Sequence, residues 1–127
     1  MQNFKTPLRY LFGALWVLFS LNFFFHFLPQ PPPSPEAGVF LGALYATGYF
    51  FQFVKIVELI CGLALLANLF VPLSLVILAP ITINIFLVHF FLDISGIPVA
   101  VIMVILHVML GRSYMAQYRP MLKAKNP

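Results

Sequence analysis

Charge is what this sequence has least of. Asp, Glu, Lys and Arg make up 8% of its 127 residues, against about 25% in a soluble domain, whose surface must face water. With 62% hydrophobic residues and a mean hydropathy of +1.01, the chain cannot cover a water-soluble globule, and hydrocarbon is its expected solvent. Cysteine is nearly as scarce. Cys61 is the only one, so no intrachain disulfide can form, and a small core residue is its simplest role. Metal-ligand spacing, a nucleophile triad, a P-loop and a dinucleotide fingerprint are all missing, so no catalytic residue and no metal ligand are assigned. The formal charge of +4 could suggest nucleic acid. The basic residues collect at the two ends of the chain, however, which fits membrane orientation and not a nucleic-acid partner.

What is present is a series of long apolar runs. A helical span needs about 20 mainly apolar residues, and four candidates emerge, at about 8–28, 49–70, 72–92 and 98–118. The first resembles a secretory signal in its basic start and apolar run. No small-x-small cleavage site follows it, so it is expected to be retained. It ends before Pro29-Gln30-Pro31-Pro32-Pro33, too proline-rich for helix. Pro72 and Pro98 stand where helices would begin, since a first-turn proline loses no hydrogen bond. Asn68 is placed to end the second span. The links around it and at Asp93–Ile97 are short enough to force antiparallel neighbours.

Ser34-Pro35-Glu36 also reads as a helix start, with a capping serine, a proline and an acid near the positive end of the dipole. One helix from Gly38 to Phe70 would measure about 50 Å at 1.5 Å per residue, far beyond a hydrocarbon core of about 30 Å. A short separate helix is therefore expected at about 35–47, broken at Gly48 and lying on the outer membrane face. Lys5 and Arg9 precede the first span; Arg112, Arg119, Lys123 and Lys125 follow the fourth. The positive-inside rule places both termini in the cytoplasm. The expected fold is a single all-α domain, an up-down bundle of four transmembrane helices, N-in and C-in, with one extra outer-face helix.

Ionisable and amide groups inside a membrane are costly, which makes each a candidate. Asn22 and His26 lie four apart on the first span, and Lys55 and Glu58 three apart on the second, where they can neutralise each other. The third span carries Asn84, His89 and Asp93; the fourth carries His107. By depth, Lys55, Glu58, Asn84, His89, His26 and Asn22 all fall in the outer half and form the candidate ligand-binding cluster. The blander readings stand beside this one. Asn22 and Asn84 serve as interhelical hydrogen-bond glue, Lys55 and Glu58 form a neutralised pair, and His26 and Asp93 sit among headgroups. His89 and His107 are hydrogen-bonded core histidines more often than ligands, so haem is not expected. Pro80, inside the third span, removes a backbone donor from the Val76 carbonyl and should kink the helix. That kink would open a small outward-facing pocket or be a mere irregularity of packing, and the polar residues on the same side of the bilayer favour the pocket.

Several stretches together resemble the DoxX family. They are Thr47-Gly48-Tyr49-Phe50-Phe51 with Val54-Lys55-Ile56-Val57-Glu58, and Phe70-Val71-Pro72-Leu73 with Ala79-Pro80-Ile81, Asn84-Ile85 and His89. The ending in Tyr118-Arg119-Pro120 fits as well, so the resemblance covers nearly the whole chain. It implies a compact four-helix membrane fold in the bacterial cytoplasmic membrane. Family members are described as small subunits of quinone-linked systems, including thiosulfate:quinone oxidoreductase and a terminal quinol oxidase, or as membrane partners of detoxifying enzymes. The resemblance therefore implies an accessory subunit that is not catalytic alone. Its ligand would be a quinone or lipid, and its partners membrane lipids and other membrane or membrane-associated proteins. No established catalytic residues carry over. Two alternatives remain open: a purely structural subunit of a larger complex, and a small oligomeric transporter.

Overall fold

A computed structural model describes residues 2–125 of the chain. It is helical throughout its regular structure, with α1 Gln2–Phe25, α2 Pro35–Ala46, α3 Phe50–Ala67, α4 Val71–Phe91, α5 Ile97–Arg112 and α6 Met115–Tyr118. Short 3-10 turns at Ile94–Gly96 and Arg119–Leu122 complete it. Four segments are long and apolar enough to cross a membrane: Phe4–Phe25, Phe50–Ala67, Val71–Phe91 and Ile94–Arg112. The protein is an all-α, four-span bundle integral to a membrane.

Local chemistry sets the ends of these helices. α1 stops at Phe25, ahead of the proline run, because His26 turns left-handed (φ 54°). There the Asn22 side chain accepts from the Leu28 amide at 2.7 Å and folds the chain back on itself. Ser34 caps α2 by accepting from the Ala37 amide at 3.2 Å, and Gly48 (φ 82°) separates α2 from α3. Asn68 closes α3 in the left-handed conformation, which asparagine tolerates better than most residues. The last span does not continue unbroken to Tyr118. It ends at Arg112, where Ser113 Oγ donates to the Leu110 carbonyl at 2.6 Å, and α6 begins afresh at Met115.

The bundle has two unlike ends. At the end carrying both termini, the Arg9 guanidinium donates to the Leu66 carbonyl at 3.2 Å and to that of Leu65, placing its charge against the carbonyls of the last turn of α3. Lys5 lies 4.0 Å from the Tyr114 ring centroid, and Tyr118 donates to the Pro72 carbonyl at 2.8 Å. These bonds tie α1, α3, α4 and the segment after α5 together. The core also leans this way. Phe12, Trp16, Leu65, Leu75, Leu78 and Leu110 are fully buried. α1 and α3 approach through two glycines: a Cβ on Gly62 would stand 2.9 Å from Val17 Cγ2 and 3.0 Å from Trp16 Cβ, and one on Gly13 would stand 3.0 Å from the Gly62 carbonyl. Small residues permit this in a membrane, where dispersion between closely packed helices replaces the hydrophobic effect.

At the opposite end, Asp93 is the anchor. It accepts from Ser95 Oγ at 2.6 Å and from the Ser34 amide at 3.2 Å, while Ser34 Oγ donates to the Leu92 carbonyl. α2 is thereby held at the turn between α4 and α5. Its 12 residues are too short to span, at about 18 Å.

Candidate functional site

The six polar residues singled out from the sequence do not converge. Lys55 and Glu58 do meet, with Nζ 3.2 Å from Oε1. Glu58 is 2% exposed and Lys55 20%, so the carboxylate is buried in the bundle and the ammonium reaches its surface. One turn nearer the start of α3, Phe51, Phe23 and Tyr45 form an aromatic group, with ring centroids 5.9–6.4 Å apart. Asn22 is buried, but its side chain serves the chain reversal after α1 and not a neighbouring helix. His26 is exposed at the end of the bundle.

On α4 the two expected members part company. His89 Nδ1 donates to the Asp93 carbonyl at 3.2 Å, and its ring packs against Gly96, where a Cβ would stand 2.1 Å from Nδ1. It secures the turn. Asn84 is exposed, on the side of α4 turned away from the bundle, and makes no hydrogen bond among the described residues. It is not interhelical glue within the chain. The α4 face that enters the bundle carries Ser74, Leu75, Leu78 and Thr82.

His107 is the polar residue that the tertiary structure brings forward. Nε2 donates to the Leu75 carbonyl at 2.9 Å, and Nδ1 lies 3.0 Å from Thr82 Oγ1, where a neutral ring accepts from the hydroxyl. The ring also stands edge-on to Phe12, 5.3 Å between centroids. Thr82 carried no signal in the sequence. A threonine in an apolar helix is common, and its partner lies 25 residues away.

Beside this bridge runs a groove of about 480 Å³ between α4, α5 and the segment after α5. Leu75, Val76, Ala79 and Val108 form its walls, Met115 and Leu122 its outer part, and Arg112 stands at its rim. A smaller cavity of about 180 Å³, reaching Thr82 and Val104, extends it along the same seam past His107. The groove therefore lies along α4 and α5 toward the end carrying the termini, and Pro80 itself does not line it.

The groove offers little polarity to a ligand. Both His107 nitrogens are engaged, and the Tyr118 hydroxyl is spent on Pro72. Arg112 is exposed and forms no ion pair among the described residues. Charge around it is one-signed. Every Lys and Arg except Lys55 lies in the segments at this end, whereas Glu36 and Asp93 lie at the other and Glu58 between. The described residues include no group of three or more His, Cys, Asp or Glu side chains able to hold a metal ion. No family model, curated protein or solved structure matches the chain.

Proposed function

We propose that this chain is an accessory subunit of the bacterial cytoplasmic membrane that holds a lipid-like molecule in the groove between α4 and α5. The groove itself carries the reading. From Val104 to Arg112 it follows the helix axis for about 12 Å at 1.5 Å per residue. It is walled by aliphatic side chains and has one cation at its mouth. A long apolar chain ending in a polar head suits that shape better than a compact polar substrate does. A phospholipid and an isoprenoid quinone share this chemistry. The DoxX-like residues between Gly48 and His89 favour a quinone-linked setting, and the basic flanks favour both termini being cytoplasmic. Lys55 and His89 belong to separate polar contacts, so the groove is a better seat for such a molecule than the outer half.

Native mass spectrometry of the protein extracted from its own membrane in mild detergent tests this. One tightly held lipid or quinone is expected. Gly111 lines the groove, and a Cβ there meets nothing within 4 Å, so Gly111→Leu should fill the space and expel the molecule while the fold is kept. Val108→Trp should act alike. Retention in both variants would count against the groove.

A purely structural subunit is the second reading, favoured by the aromatic flank where Tyr45, Tyr49 and Phe53 are 62–64% exposed. A stoichiometric protein partner that copurifies without any bound small molecule would select it.

A further inference from the structure

Asn84 is anomalous by its position. It lies about 20 Å along α4 from Val71 and about 10 Å from Phe91, at 1.5 Å per residue, well inside the span. Its side chain is too short to reach either headgroup layer. Polar groups at such depth face a bundle interior or find a partner, because hydrocarbon offers them none. Asn84 does neither within this chain.

Its surroundings show what partner it suits. Leu73, Ile77, Pro80, Asn84, Leu87 and Phe91 are all exposed. Their spacing alternates four and three residues, the 3.5-residue period of a helix-packing seam. This stripe is opposite the α4 face that enters the bundle, and it is separate from the groove walls. In such seams a single asparagine fixes register and oligomeric state. An amide carries both a donor and an acceptor, so it is complementary to itself. Two copies inserted in the same direction bring their Asn84 side chains to the same depth without further adjustment. A two-fold axis along the membrane normal then pairs them.

We propose that a second copy of this chain docks along the exposed α4 seam, with the two Asn84 amides hydrogen-bonded to each other in the middle of the interface. The dimer is independent of what the groove between α4 and α5 holds.

Förster transfer between N-terminally labelled copies, diluted into liposomes, measures the association. The wild type should dimerise reversibly. Asn84→Leu should lower the association constant by about five- to thirty-fold, the range expected for an interhelical amide pair. Asn84→Gln, which keeps donor and acceptor, should restore most of it. The monomer fold should be unaffected, since the side chain is exposed and forms no hydrogen bond among the described residues. In a Cys61→Ala background, Leu87→Cys should crosslink to itself on oxidation, and Val99→Cys, exposed on α5, should not. A monomeric wild type overturns the proposal. So do equal association of the wild type and Asn84→Leu, and equal crosslinking at the two cysteine positions.

Discussion

His107 Nε2 donates to the Leu75 carbonyl at 2.9 Å, joining α5 to the part of α4 that precedes Pro80. Thr82 completes the bridge from the other side of the proline. The imidazole therefore holds a proline-containing helix in place with both its nitrogens. Replacing it by leucine removes both the bond to the Leu75 carbonyl and the acceptor of the Thr82 hydroxyl, at a cost of roughly 1–3 kcal/mol. His107→Leu should lower the denaturation midpoint in detergent accordingly. Adding Thr82→Val should cost less than the two changes separately, because the hydroxyl has already lost its acceptor. Strict additivity would mean that the three groups do not act as a unit.

The close approach of α1 and α3 gives a contrast between two glycines. Gly62→Ala places a methyl 2.9–3.1 Å from Val17, Trp16 and the Gly13 carbonyl, so the helices must separate, at about 1–3 kcal/mol. Gly42, in α2, has nothing within 4 Å of its Cβ position. Gly42→Ala should be neutral, or stabilising by up to about 1 kcal/mol through helix propensity. Thermal unfolding of both variants, followed by circular dichroism in detergent, checks the difference in sign.

The Lys55–Glu58 pair should respond asymmetrically to mutation. Lys55→Leu leaves a carboxylate that is 2% exposed without its cation, and such removals cost about 3–5 kcal/mol. The double change Lys55→Leu with Glu58→Leu should recover most of that loss, since it removes the buried charge altogether. A double-mutant cycle in detergent measures the coupling. Equal stability of the single and double variants would show that the carboxylate finds another partner or a proton.

Asp93 provides a pH dependence with a definite sign. The Ser95 hydroxyl above all, and then the Ser34 amide, hold its carboxyl below the ordinary 3.8. Both bonds favour the ionised form. A depressed folded-state value means that the contribution to stability is complete above pH 3.8. It is lost as pH falls from there through the folded-state value. Carbon NMR of the Asp93 carboxyl in micelles should give a midpoint below 3.8, and Ser95→Ala should move it upward. A midpoint unmoved by that substitution would assign the shift elsewhere.

Much of this architecture was open to reading in the sequence because it depends on neighbours in the chain. The lengths of the apolar runs set the four spans, Ser34 and Pro35 start α2, and Asn68 ends α3. Lys55 and Glu58, three apart on one helix, could be paired on paper for the same reason. Arg9 marks the difference. In the sequence it is one of the basic residues that orient the first span, and only the fold brings it under the closing carbonyls of α3.

What the sequence alone could not decide is how each helix is turned about its own axis. In a soluble helix a polar stripe marks the outward face. α4 has none, because lipid is as apolar as the bundle interior and both faces carry the same residues. Depth could be counted from the sequence, and it placed Asn84 and His89 beside Lys55; rotation, fixed by packing between distant segments, separated them. Tertiary structure turned Thr82 inward to His107 and Asn84 outward to the surrounding membrane. It also put the open groove beside the His107 bridge, toward the end carrying the termini, because the packing of α4, α5 and the segment after α5 brings its walls together.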